Sequence, residues 1–111
     1  MGPVSVETAR ALVAHDLHGQ YADELARAVA QRTWWLEQWP EGDEHVPGLL
    51  AQDVQEAVHE AIDPLWPRCS ESTCPARLQH PLFVEPDLGP DPFWTCHRTG
   101  LPVAPVGSLP G

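Results

Sequence analysis

Lysine is absent from this chain of 111 residues, and six arginines face sixteen acidic side chains. The formal net charge is −10 with histidine neutral. Non-specific nucleic-acid binding depends on basic side chains that displace counterions from phosphates. Such a balance therefore argues against a phosphate-binding surface. The imbalance is also local. Residues 1–66 carry twelve acids against three arginines, whereas residues 67–111 carry four against three. The first portion suits a basic protein partner, or it is a solvated acidic face that keeps a small protein in solution.

Long apolar runs are missing as well. Nothing approaches the ~20 residues that a membrane-spanning helix needs. The start Met1-Gly2-Pro3-Val4 has neither the basic nor the apolar region of a secretory signal. Val6 stands where a myristoylation motif at Gly2 requires Ser or Thr. Cysteine is scarce, and three residues cannot all pair within one chain. Reduced thiols in a cytoplasmic protein, with metal ligation in place of disulfides, are the expectation. No P-loop, G-x-G-x-x-G, G-x-S-x-G or Ser/His/Asp pattern occurs, nor any internal repeat, so no motif marks an enzyme.

What is present divides the chain in two. Ten of the thirteen prolines fall from Pro64 onward, while the first 63 residues are rich in Ala, Leu, Val and Glu. Hydrophobic content of 42% supports a modest core, but halves this small would each be marginal alone. Ser5 is placed to cap a helix. From Val6 the positions Ala9, Val13, Leu17, Tyr21, Leu25, Ala28, Arg32, Trp35 and Trp39 step by three or four. The pattern predicts one long amphipathic helix from Ser5 to Trp39, with a break near Gly19 as the alternative. Pro40 and Gly42 end it. A second helix follows over Pro47 to Ile62, with Leu50, Val54, Val58, Ala61 and Leu65 as its stripe. The two should pack as a helical hairpin over residues 1–65.

From Arg68 the helical period vanishes. Leu82–Glu85 and Phe93–Cys96 read as short strands around a loop rich in Pro, Asp and Gly. Leu101–Val106 adds an edge strand, because Pro102 and Pro105 cannot sit centrally. Residues 107–111 read as a flexible tail.

Cys69, Cys74, His80, Cys96 and His97 lie within 29 positions of this segment and include every cysteine. Thiolate and imidazole are the ligands a tetrahedral zinc prefers. Two cysteines on a turn, a hairpin, and further ligands where the second strand returns together resemble a zinc ribbon over residues 66–106. The resemblance implies a structural Zn2+. The chain departs from the usual paired C-x2-C knuckles: its first spacing is x4, and its second knuckle is the adjacent pair Cys96 and His97. Cys69, Cys74, His80 and Cys96 form the preferred set, and the rival set replaces His80 with His97. On a strand, neighbours point to opposite faces, so Cys96 and His97 share one metal only if the strand has ended or bulged.

His15 and His18 have ligand-compatible helical spacing but no third partner, and they read as a solvated face. His45 and His59 read as surface residues. Trp34, Trp35 and Trp39 are either core, packed on the metal module with Trp66 and Trp94, or an aromatic anchor for a partner. The expectation overall is an α+β protein: a helical hairpin built on one long helix, then a zinc-ribbon-like module. Its expected role is a non-enzymatic accessory or assembly component that binds a protein, basic or a second copy of itself, through its helices. One alternative is a nucleic-acid-associated ribbon regulator of a transcriptional or phage type, using Arg68, Arg77 and Arg98. The other is a metal-dependent hydrolase, for which Glu71 and Glu85 are the nearby acids.

Overall fold

Apolar spacing of three and four does produce helices, but in three pieces. The computed structural model describes residues 4–70, 74–75 and 78–110. Glu71, Arg77 and the Met1–Pro3 terminus considered above lie outside the described residues. Helix α1 spans Val4–Leu17, α2 spans Ala22–Gln38 and α3 spans Val46–Ala61. Strands β1 (Phe83–Glu85), β2 (Phe93–Thr95) and β3 (Pro102–Pro105) follow. The class is α+β. None of the described helices is long and apolar enough to cross a membrane.

The single helix expected over Ser5–Trp39 is broken between Leu17 and Ala22. His18, Gly19 and Tyr21 take left-handed backbone angles, with φ of 51°, 82° and 58°. Gly19 does so without a Cβ penalty, and a left-handed residue just past the last turn is a common way to close a helix. The His18 and Gln20 N–H groups return to the His15 and Leu17 carbonyls at 3.2 and 3.0 Å. Beyond the break, the Tyr21 ring packs edge-on to Trp66, with ring centroids 6.2 Å apart. Helix α1 begins at Val4, so Ser5 lies inside its first turn.

Between α2 and α3 a 3-10 turn occupies Pro40–His45. Gly42 is buried there, and a Cβ on it would come within 2.5 Å of the Trp35 ring and 2.6 Å of the Trp39 ring. Only glycine fits under that pair of indoles.

One apolar core crosses the proline-rich boundary. Val6, Ala9, Val13 and Leu17 of α1 meet Ala28 and Leu36 of α2 and Leu50, Ala51, Val54 and Val58 of α3. Trp66, Leu82, Val84, Trp94 and Ala104 complete the same cluster. Burying each aliphatic side chain stabilises the fold by about 1.5–3 kcal/mol relative to exposure. The sheet is antiparallel in the order β1-β2-β3. Its register aligns Val84, Trp94 and Ala104 across the strands, and all three are buried. Trp94 also packs edge-on to Trp66 at 5.5 Å.

Two buried polar side chains bind the halves together. Asp16 of α1 is fully buried. Its carboxylate accepts hydrogen bonds from Trp94 Nε1 at 2.8 Å, from the Gly107 and Leu109 N–H groups at 2.6 and 3.0 Å, and from His15 Nδ1 at 3.0 Å. Residues 107–110, expected to be a flexible tail, are therefore held: Leu109 is 6% exposed. His15 and His18 are exposed, as expected of a solvated face, and His18 Nε2 also reaches the Leu109 carbonyl at 3.4 Å. Gln55 of α3 is likewise buried and donates to the Trp66 and Leu82 carbonyls. His59, expected at the surface, is partly buried and bonds the Trp66 carbonyl. His45 is partly buried too, and accepts the Gly89 N–H at 2.9 Å.

Candidate metal centre

Backbone pairing brings the ligand-type residues together. Arg68 and Pro81 form an antiparallel bridge. The Cys69 N–H donates to the His80 carbonyl at 2.9 Å, and the Leu82 N–H donates to the Pro67 carbonyl at 2.7 Å. That pairing sets Cys69 beside His80. The β1–β2 pairing opposes Phe83 to Thr95, so the following residue, Cys96, arrives at the same edge. Cys96 lies just past β2 on a tight turn: its N–H donates to the Leu101 carbonyl at 3.0 Å, and its carbonyl accepts the Gly100 N–H at 2.8 Å.

The donor atoms of Cys69, Cys74, His80 and Cys96 all lie within 4.8 Å of one another. Cys74 Sγ is 3.6 Å from His80 Nε2 and 3.7 Å from Cys96 Sγ, and Cys96 Sγ is 3.4 Å from His80 Nε2. Cys96 is buried while the other three are partly exposed. No disulfide joins the cysteines. The cluster can hold a metal ion.

His80 is oriented for that task. Its Nδ1 lies 3.2 Å from the Leu78 carbonyl, and a carbonyl can only accept, so Nδ1 carries the proton. Nε2 is then the nitrogen that faces the sulfurs: it can share a proton with Cys96 or, once deprotonated, offer its lone pair to a metal. A backbone carbonyl that fixes the tautomer is the usual outer partner of a metal-binding histidine. Burial pushes the Cys96 thiol up, but hydrogen bonds from His80, the Thr99 hydroxyl and the Thr99 and Arg98 backbone outweigh it and hold the thiol at about 6. The same contact with Cys96, and then the Leu78 carbonyl, raises His80 above its ordinary value. The lowered value favours the Cys96 thiolate, the form a metal requires.

His97 lies apart from the cluster. Its ring stacks on Phe83 with centroids 4.5 Å apart and planes 19° from parallel, and its Nε2 pairs with Glu85. The tryptophans divide. Trp66 and Trp94 are core. Trp34 and Trp39 are exposed, and Trp35 is half-buried against Trp39 at 5.2 Å. The Trp39 ring also lies beside that of His45, with centroids 6.1 Å apart. Arg32 of α2 makes a two-point ion pair with Asp53 of α3 and lies 5.0 Å over the Trp35 ring.

Asp16 and Gln55 escape a search for chemical motifs, yet a signal for both exists. Asp16 is three residues after Val13, and Gln55 lies between Ala51 and Val58 at helical spacing. A polar residue in phase with an apolar stripe faces the core.

Residues 3–106 match the model of a family described as a domain of unknown function (DUF8819). The chain belongs to that family. The DUF8819 match runs from the first helix through the sheet and takes in all four cluster residues. Helices and cluster are therefore one family unit. No curated protein and no solved structure matches the chain.

Proposed function

We propose that this chain is a non-catalytic accessory or assembly protein, in which Cys69, Cys74, His80 and Cys96 hold a structural zinc and the acidic helices take a protein partner. The observation that carries the reading is the closed four-donor cluster. A tetrahedral zinc with sulfur at about 2.3 Å and nitrogen at about 2.0–2.1 Å has edges of about 3.8 Å between sulfurs and about 3.6 Å between sulfur and nitrogen. The separations of 3.7, 3.6 and 3.4 Å among Cys74, His80 and Cys96 match those edges closely, and the Cys69 sulfur lies within 4.8 Å of each. Three thiolates and one imidazole favour zinc over harder cations. The ion's binding energy would tie Cys69 and Cys74 to His80 and Cys96.

Four protein ligands leave no position for water, which a catalytic zinc keeps open, so a hydrolase fits less well. The nucleic-acid reading is weakened by Arg68, whose guanidinium is engaged by Asp63 and Gln79. Reduced cysteines in a cytoplasmic setting belong to the same proposal.

Elemental analysis of the purified chain should find zinc bound stoichiometrically. The ion should be lost in Cys69→Ser, Cys74→Ser and Cys96→Ser and kept in His97→Ala. Loss in His97→Ala with retention in His80→Ala would overturn the ligand set. Affinity purification from the source cells should recover a protein partner. Recovery of nothing, with a monomeric chain, would defeat the assembly role.

A further inference from the structure

We propose that the C-terminal end of α2 is a docking surface for an arginine- or lysine-bearing segment of a partner protein, received on the exposed rings of Trp34 and Trp39. This rests on the protein-binding role above and names its surface and its partner chemistry. Isolated exposed apolar residues are ordinary on any surface. Two tryptophans within six positions, 64% and 45% exposed, are not scattered. A groove of about 480 Å³ lies beside Trp34, lined by Ala30, Gln31, Arg32, Trp34 and Trp35.

Electrostatics select the occupant. The carbonyls at a helix C-terminus carry partial negative charge, which a cation in the last turn normally offsets. The last turn of α2 has no basic residue. Glu37, Glu41, Asp43 and Glu44 are exposed around it. Among the described residues no ion pair engages Glu37, Glu41 or Asp43, and Glu44 reaches only its neighbour His45, at 3.7 Å. Arg32 is committed to Asp53 and to the Trp35 face.

The Arg32–Trp35 contact displays the chemistry within the chain. A guanidinium over an indole is attracted by the ring quadrupole, and the adjacent acids add Coulombic attraction. Trp34 offers a further exposed indole, and Trp39 exposes part of its ring beyond its contacts with Trp35 and His45. Glu37, Glu41 and Asp43, near them along the chain, are not engaged by an ion pair among the described residues. A second copy of this chain is the poorer occupant, because it brings another net charge of −10 to an already acidic patch.

The test uses the full-length, metal-loaded chain and a short synthetic peptide alternating arginine and leucine, with a glutamate-for-arginine peptide as control. Calorimetry should show that the arginine peptide binds and that added salt weakens it, while the control peptide does not bind. Trp34→Ala with Trp39→Ala should weaken binding by about tenfold or more. Trp34→Ala alone, at the more exposed and less packed position, should weaken it measurably while leaving zinc content and helicity unchanged. Equal binding to wild type and to both tryptophan variants would overturn the proposal. So would no binding at low salt, or a wild-type dimer in sedimentation that the tryptophan variants dissolve. A cellular partner that binds the tryptophan variants unchanged would sink this surface while leaving the accessory role standing.

Discussion

Removing the Asp16 carboxylate should reveal how strongly the helices are tied to the sheet. In Asp16→Ala, three backbone or indole donors lose their acceptor: Trp94 Nε1, Gly107 N–H and Leu109 N–H. Trp94 and Leu109 are buried, so each stranded donor costs about 1–3 kcal/mol. Gly107 is only partly buried and can recruit water, and His15 is exposed and can do the same. Against this stands the desolvation cost of keeping a carboxylate in the core, which the variant no longer bears. The balance is a loss of about 2–4 kcal/mol, a large share of the ~5–15 kcal/mol that holds a typical domain together. Asp16→Asn should cost about half as much, because the amide oxygen keeps part of the acceptor set while the NH2 opposes one donor. Urea denaturation followed by tryptophan emission measures both variants. The cycle with Trp94→Phe isolates one bond and should show a coupling of about 1–2 kcal/mol. A loss below about 1 kcal/mol in Asp16→Ala, or strict additivity with Trp94→Phe, would refute the reasoning.

Gln55→Ala strands the Leu82 carbonyl, while His59 still bonds that of Trp66, and should cost about 1–3 kcal/mol in the same assay, with hydrogen exchange around Leu82 accelerating more than exchange in α1. Gly42→Ala forces the Trp35 and Trp39 rings apart; we expect a loss of about 1–3 kcal/mol and a red-shifted emission, and an unchanged spectrum would contradict the packing. Cys96 is held at about 6, below the ~8.5 of an ordinary thiol. Its depressed value means that its contribution is present above the ordinary thiol range and is lost as pH falls through about 6. Protons compete with the metal for the thiolates, so the apparent metal affinity should fall on acidification below that value, and an affinity independent of pH would contradict the reasoning.

Some of this protein was local and therefore legible. The apolar stripes of α1 and α3 follow from helical geometry, which depends only on neighbours along the chain. The strands around Val84, Trp94 and Ala104 follow from alternation and flanking prolines. The cluster of Cys69, Cys74, His80 and Cys96 follows from ligand chemistry, since thiolates and imidazoles near one another in a proline-rich segment have few other uses.

Other features depended on contacts that spacing does not encode. The stripe read from Val6 to Trp39 runs through the break at His18–Tyr21 because α1 and α2 both turn apolar faces to the same core, although Trp39 is exposed and Leu36, outside that stripe, is buried. Periodicity reports which side is buried and not whether the axis is continuous. The choice of His80 over His97 rests on the Cys69–His80 backbone pairing and on the place where β2 ends, both products of tertiary register. Asp16 is a surface-type residue until the indole of Trp94, 78 positions away, is folded against it. Sequence alone determined which residues could bind a metal and which faces could be apolar. Tertiary structure decided which donors converge, which tryptophans stay in water, and that a buried carboxylate holds the C-terminal segment in place. Each of those outcomes is set by groups distant in the chain, whose pairing energy appears only once the fold brings them within hydrogen-bond reach.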